Sequence, residues 1–249
     1  MLEIIQHGPI HEIRLARPPA NALNSDLLVQ LRDAVQAAPA NGAQGLILSS
    51  GPGFFSGGMD VPLLMSLDSA ALMIAWQHFF AAVRALAKSS VPVVAAIGGH
   101  APAGGCVLAL CCDYRIMARG PSRIGLNETQ VGLAVPDAIQ QLMRRVVGTY
   151  RAERLIVAGA MIDSETAEKI GLVDELTDSE HVAVRAAHWL EELLKLPRAP
   201  MLATRVIARA DMIKALDDFT DADLGAFLEQ WDSPDTQAAM AALMARLKK

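Results

Sequence analysis

The residues best suited to chemistry in this sequence are one glutamate and one glycine pair. Gly104 and Gly105 close a run of small residues, Gly98-Gly99-His100-Ala101-Pro102-Ala103, and lead into a short apolar helix from Cys106 to about Cys112. At a strand-to-helix turn the first backbone N–H groups lack intrahelical acceptors and stand at the positive end of the helix dipole. Such donors suit a negative oxygen, and without Cβ atoms a ligand carbonyl can approach the backbone closely. A tight turn that merely needs glycine has the same sequence. Glu128 stands among Leu126, Val131 and Leu133. Apolar neighbours raise a carboxyl pKa towards the range useful to a general base. A first-turn helix glutamate or a surface charge fits that local pattern as well.

Strands and helices must hold these two features. Val91 to Ile97 reads as a buried strand before the small-residue turn, and Tyr114 to Ala118 as a second strand. A loop at Arg119 to Arg123 then leads to Ile124–Gly132. Leu2–Gln6 and His11–Leu15 flank a His7-Gly8-Pro9 turn and read as a hairpin. The prolines of Arg17–Asn24 make a loop. Asn24 or Ser25 can cap a helix with Leu27, Leu31, Val35 and Ala38 on one face.

Gly45–Ser49 is a further buried strand, ending in the glycine-rich loop Gly51–Asp60. A dinucleotide fingerprint fails there, because Ser56 occupies the third glycine position. A Gly-x-Ser-x-Gly elbow around Ser56 and Gly58 fails too, since Phe54 stands where the first glycine is needed. The loop is either a backbone that wraps a ligand or an ordinary surface turn. Ser69–Lys88 reads as a long helix with Leu72, Trp76, Phe79, Val83 and Leu86 facing the core.

Asp137–Val147 and Tyr150–Ala158 read as helices separated by Gly148. Ser164–Ile170 reads as a short helix capped by Ser164 and stopped at Gly171, and Leu172–Leu176 as a short strand. From Asp178 the pattern is helical, with amphipathic segments at Glu180–Leu194, Pro200–Lys214, Thr220–Trp231 and Pro234–Leu247. Ser233-Pro234-Asp235 is a clear helix start.

At 249 residues and 52% hydrophobic composition, the chain can bury a sizeable core. A net charge of −5 and the lack of a Lys/Arg block argue against a nucleic-acid partner. No apolar run reads as long enough to cross a membrane, and no signal or transit peptide is visible, so a cytoplasmic protein without a membrane partner is expected. Cys106, Cys111 and Cys112 read as buried thiols. His7, His11, His78, His100, His181 and His188 are scattered, and no metal site is expected.

Several motifs recur here together: Pro19-Ala20-Asn21-Ala22-Leu23-Asn24, Phe55-Ser56-Gly57-Gly58-Met59-Asp60, Pro102-Ala103-Gly104-Gly105-Cys106, and Asp113-Tyr114-Arg115-Ile116. Gly159 to Ile162 follows, then Gly171-Leu172-Val173-Asp174. In this order and spacing the chain resembles the crotonase (enoyl-CoA hydratase/isomerase) superfamily over essentially its whole length. It is most similar to the mitochondrial-type 3,2-trans-enoyl-CoA isomerase branch, through Ala101–Cys106, Cys112–Ile116 and Ile124–Gln130.

The resemblance implies an α/β fold: a crotonase-type spiral of ββα units with a helical C-terminal trimerisation region. Residues 1–176 would form the spiral core with the acyl-CoA site, and residues 177–249 the packing and oligomerisation region. It implies an oxyanion hole made by the backbone N–H groups of Met59 and Gly104, with Glu128 as the base. Ser56, Gly57, Gly58, Met59, Asp60, Gly104 and Gly105 would line the acyl-CoA site, and Ala20, Ala22 and Leu23 would follow the CoA moiety. No cofactor is implied, because coenzyme A is part of the substrate. The implied partners are that thioester and further copies of the chain, as a homotrimer or a dimer of trimers.

One position departs from the family pattern. Hydratases of the family use two glutamates, the first just after the Gly-Gly-Cys segment, and here that position is Val107. Water addition uses two carboxylates to hold and shuttle water, whereas a proton shift needs one base that takes and returns a proton. An isomerase that moves the double bond of 3-enoyl-CoA in fatty-acid β-oxidation is therefore expected. A hydratase or other crotonase-type enzyme, and a non-catalytic binding or assembly protein, are the alternatives. Val107 reads as part of a dry wall or as helix core, and Asp137, beside Pro136, as a helix cap.

Overall fold

The computed structural model describes residues 1–247. Strands β1 (Leu2–His7) and β2 (Ile10–Leu15) pair antiparallel, with Leu2 opposite Leu15. Helix α1 (Ser25–Ala37) starts at Asn24, whose side chain accepts from the Leu27 N–H at 2.9 Å. Its Leu27, Leu31 and Val35 are buried on the expected face.

A repeated plan follows: a strand in a large sheet, a short strand in a second sheet, then a helix. The first repeat is β3 (Gly45–Ser50), β4 (Gly53–Phe54), a single-turn α2 (Val61–Leu64) and the long α3 (Ser69–Ala87). The second is β5 (Val93–Ile97), β6 (Gly99–Pro102) and α4 (Gly104–Leu110). The third is β7 (Tyr114–Ala118), β8 (Arg123–Gly125), a 3₁₀ turn at Glu128–Val131 and α5 (Asp137–Val147). Helix α6 (Thr149–Val157), β9 (Ile162–Asp163), α7 (Ser164–Lys169) and β10 (Glu175–Thr177) complete the core. A 3₁₀ turn at Ser179–His181 then opens the helical region: α8 (Val182–Leu194), α9 (Arg198–Ala208), α10 (Ala210–Asp218), α11 (Asp221–Glu229) and α12 (Pro234–Leu247). The last two residues of that region, Lys248 and Lys249, lie outside the described residues.

The large sheet runs β1-β2-β3-β5-β7-β10 and is parallel beyond the first hairpin. The second sheet runs β4-β6-β8-β9. Parallel strands covered on both faces read as unbroken apolar runs. Ile47, Val94 and Ile116 pack on one face with Ala186 and Leu190 of α8, while Leu46, Leu48 and Val93 join the larger core with α1 and α3. This is the spiral of ββα units that the resemblance implies.

Several local expectations are corrected. The small-residue stretch after β5 is not only a turn; it contains β6, and α4 begins at Gly104 rather than Cys106. Glycine is depleted in strands, but here it lets two backbones meet: a Cβ on Gly99 would lie 2.2 Å from the Gly53 carbonyl carbon. The cap of α7 is Asp163, whose carboxylate accepts from the Thr166 N–H at 2.7 Å, while Ser164 is the first helical residue. Asp137 is likewise the first residue of α5 and not its cap; its carboxylate meets Arg144 at 3.0 Å on the surface.

The expected Pro200–Lys214 helix is two helices broken at Arg209, where φ is −104° and ψ is 2°. The break turns Arg209 inwards to Asp113, 2.9 Å away and far off in sequence, so local periodicity carries no sign of it. Helix α3 does have the length and hydropathy of a membrane-crossing segment. Phe79, Phe80, Val83 and Leu86 are nonetheless buried within this fold, and Arg84 donates to the Leu216 and Phe219 carbonyls, which makes α3 a core helix.

Candidate active site

A cavity of about 610 Å³ opens between the spiral and the C-terminal helices. Its apolar wall draws on α3 (Trp76, Phe79), the segment after the 3₁₀ turn (Leu133, Ile139) and the C-terminal helices (Phe227, Met240). The site therefore takes walls from both regions of the chain.

Glu128 enters this cavity from the first position of its 3₁₀ turn. That turn is pinned on several sides. Gln130 Nε2 donates to the Gly159 carbonyl at 2.8 Å, and Thr236 Oγ1, at the start of α12, donates to the Gly132 carbonyl at 2.6 Å. Gly132 ends the turn with φ +78°, and a Cβ there would lie 2.7 Å from the Thr236 Cα, so no larger residue fits. The Glu128 side chain is held by its turn rather than by partners: it is 8% exposed, and its Oε2 has no hydrogen-bond partner among the described residues. Burial pushes its carboxyl up to about 7, because the charged form loses water without gaining a compensating charge.

Met59 and Gly104 reach the same cavity by different routes. Leu23 and Met59 form a parallel bridge, in which the Leu23 N–H donates to the Gly58 carbonyl at 2.8 Å and the Asp60 N–H donates to the Leu23 carbonyl at 3.0 Å. The bridge uses the groups on either side of Met59, which leaves its own N–H turned the other way. Gly104 is the first residue of α4, where the N–H has no intrahelical acceptor. Before it, Ala103 adopts φ +45° and ψ −116°, a backbone region that costs a non-glycine residue about 1–3 kcal/mol. The two loops touch: a Cβ on Gly58 would lie 3.3 Å from the Gly104 nitrogen.

The structure places Glu128, Met59, Gly104, Ala20, Ala22, Gly57 and Asp60 on the cavity wall. Leu23, Ser56, Gly58 and Gly105 stand behind that wall and shape it. The Ser56 hydroxyl donates to the Asn21 carbonyl at 2.8 Å and accepts from the Gly58 N–H at 3.2 Å. A Cβ on Gly105 would lie 2.5 Å from the Ser56 carbonyl oxygen. Val107 is fully buried in the core and is not on the wall, so it is helix core. The second wall carboxylate, Asp60, is engaged: Arg17 Nη2 donates to it at 2.6 Å and the Leu63 N–H at 3.1 Å.

Two residues that brace the site are given no role by the motifs. Asn21, at φ +49°, accepts from the Arg17 N–H at 2.8 Å and donates to the Phe54 and Phe55 carbonyls, tying two loops together. Asparagine tolerates the left-handed region, so its place in a proline-rich turn is the available signal. Arg17 has no comparable signal, because its carboxylate partner, Asp60, is distant in sequence.

The enoyl-CoA hydratase/isomerase family model matches residues 6–249. Human mitochondrial enoyl-CoA delta isomerase 1 is 30% identical over 240 residues, which covers 95% of this chain and 80% of that protein. The crotonyl-CoA hydratase of Syntrophomonas wolfei is 29% identical over 238 residues, 93% of this chain and 90% of that one. The crystal structure of human mitochondrial delta3-delta2-enoyl-CoA isomerase matches the fold with a TM-score of 0.94 at 28% identity, covering 99% of this chain and 98% of that one. With a family match across nearly its full length and the same arrangement of ββα units, the chain belongs to the enoyl-CoA hydratase/isomerase family and has the crotonase fold.

Proposed function

We infer that the chain is an enoyl-CoA isomerase that converts 3-enoyl-CoA to 2-trans-enoyl-CoA. The observation that carries this reading is the count of free carboxyls on the cavity wall. Glu128 has an unpartnered oxygen, whereas Asp60 is ion-paired to Arg17. One carboxyl suits a proton shift.

The thioester oxygen would sit between the Met59 and Gly104 N–H groups. Glu128 takes a proton from the carbon α to the carbonyl, and the electron pair moves onto the thioester oxygen to give a dienolate. The two donors stabilise that charge; in other enzymes one such donor is worth about 10²–10³ in rate. Protonated Glu128 returns the proton to the γ carbon, and the double bond becomes conjugated with the carbonyl. Leu133, Ile139, Trp76 and Phe79 keep water from the intermediate. Every proton and charge is accounted for by these groups, so the reading calls for no cofactor beyond the coenzyme A of the substrate. The assembly proposed is a homotrimer or a dimer of trimers, and the exposed Val206 and Ile207 of α9 offer apolar contact to a further copy.

The similarity to a crotonyl-CoA hydratase keeps water addition as the second reading. Purified protein given 3-enoyl-CoA thioesters of several chain lengths is expected to form the conjugated product, and to hydrate 2-trans-enoyl-CoA far more slowly. Efficient hydration would overturn the assignment, and the absence of both reactions would favour a binding or assembly protein.

A further inference from the structure

This inference rests on the isomerase reading, because it concerns the donor that would hold the dienolate oxygen. Met59 belongs to no extended strand. The direction of its N–H depends on a one-residue bridge to Leu23. Arg17 spans that bridge. Its Nη1 donates to the carbonyl of Ala22, one residue before Leu23, at 2.8 Å. Its Nη2 donates to the carboxylate of Asp60, one residue after Met59, at 2.6 Å. A guanidinium presents its donors in a rigid plane, so a single group sets the separation of the two backbone runs.

Both ends of the contact are themselves anchored. The Arg17 N–H donates to Asn21 Oδ1 at 2.8 Å, and the Asn21 N–H donates back to the Arg17 carbonyl at 2.8 Å. The other carboxylate oxygen of Asp60 caps α2 at the Leu63 N–H. The side chains are 27% and 13% exposed, so solvent screens the pair only in part.

We propose that Arg17 and Asp60 are positioning residues that aim the Met59 N–H at the substrate's thioester oxygen without touching the reacting atoms. An aimed donor matters most when charge has built on that oxygen, and little when the thioester is neutral. Loss of the pair is therefore felt in turnover and in the binding of an enolate, not in the binding of a saturated thioester.

The test uses Arg17→Gln, Asp60→Asn and the double variant in the full chain, with thermal unfolding to confirm folding. Four quantities are read: kcat, KM for a 3-enoyl-CoA, and the Kd of butanoyl-CoA and of acetoacetyl-CoA, whose enolate carries charge on the thioester oxygen. Each single variant is expected to lower kcat and acetoacetyl-CoA affinity on the order of tenfold. KM and butanoyl-CoA affinity should stay within about twofold. The double variant should lose no more than a single one, because the pair acts as a unit. Arg17→Lys should not restore turnover, since an ammonium cannot reproduce the rigid fork.

A raised KM with unchanged kcat would place Arg17 on the coenzyme and overturn the proposal, as would equal losses for both thioesters. If Arg17→Gln fails to fold, Asp60→Asn, which keeps the size of the cap, decides the matter by the same split. If the wild type lacks isomerase activity but the acetoacetyl-CoA difference persists, the reaction assignment fails and the positioning role stands.

Discussion

Two buried glutamates lie in this fold, and their surroundings are opposites. Glu12, on β2, is 1% exposed, yet each of its oxygens is engaged. It accepts from Ser49 Oγ at 2.6 Å, meets His7 Nε2 at 2.9 Å and pairs with Arg14 at 2.9 Å. Burial alone would raise its pKa, but the Ser49 and His7 hydrogen bonds and the Arg14 charge outweigh it, and the carboxyl is held below the usual range. Glu128 is also shielded from solvent, sits deeper in the protein and has no such partners, and its carboxyl is pushed up to about 7. The contrast separates a structural carboxylate from one available for proton transfer: depth raises the carboxyl, and partners, where present, bring it back down.

The sharpest way to break this comparison is to remove each carboxylate in turn. Glu128→Gln is expected to fold, to bind acyl-CoA and to lose isomerase turnover by about 10³-fold, within the range for a positioned base. Unchanged turnover in a steady-state assay would remove Glu128 from the chemistry. Glu12→Ala should do the reverse. It strands the buried Ser49 hydroxyl, while Arg14 keeps Glu3 at 3.5 Å and His7 turns to solvent, and should cost about 1–2 kcal/mol in urea unfolding, with the folded fraction keeping its kcat.

The pH dependence of stability has opposite signs at the two sites. Glu128 titrates higher in the folded protein than in the unfolded chain. Between about 4.5 and 7 the native state holds a proton that the unfolded state has released. Stability from this group is therefore complete at the acid end and is lost as pH rises through that window, by on the order of 3 kcal/mol. Glu12, held low, contributes stability above its unfolded pKa and loses it as pH falls through its folded pKa. Urea midpoints of wild type and Glu128→Gln, measured from pH 5 to 8, should diverge with rising pH in favour of the variant. The value of about 7 also sets the rate profile: kcat/KM should fall tenfold per pH unit below it, as the base becomes protonated.

The smallest expected effect concerns strain on the same side of the comparison. Ala103→Gly relieves a backbone at φ +45° and should raise stability by up to about 1 kcal/mol in thermal unfolding. Turnover should drop modestly, because a freer residue holds the Gly104 N–H less firmly. A loss of stability would show that the turn before α4 is not strained.

Features legible in the sequence were those written locally. The β1–β2 hairpin, the Asn24 cap, the long α3 and the Ser233 start of α12 follow from patterns within a few residues, and Ser233 Oγ does accept from the Thr236 N–H at 3.2 Å. Glu128 is singled out by its apolar neighbours only together with the family resemblance. What stayed hidden depends on residues distant in sequence. The break at Arg209 is made by Asp113, β6 by its fit against Gly53, and the latch on Met59 by Arg17. Ser56 and Gly105 carry motif positions, yet they act from behind the wall, and motif spacing does not distinguish lining from support.

The close crossing at Gly53 and Gly99 has a practical consequence for altering the chain. Because β4 is clamped to β6 by backbone against backbone, the loop that delivers Met59 starts from a fixed origin. Pro52 lies exposed just before that origin, whereas Phe55 and Ser56 beyond it are buried. A residue inserted at Pro52 would bulge into solvent and be absorbed, whereas one added between Phe55 and Met59 would shift Met59 by a whole peptide.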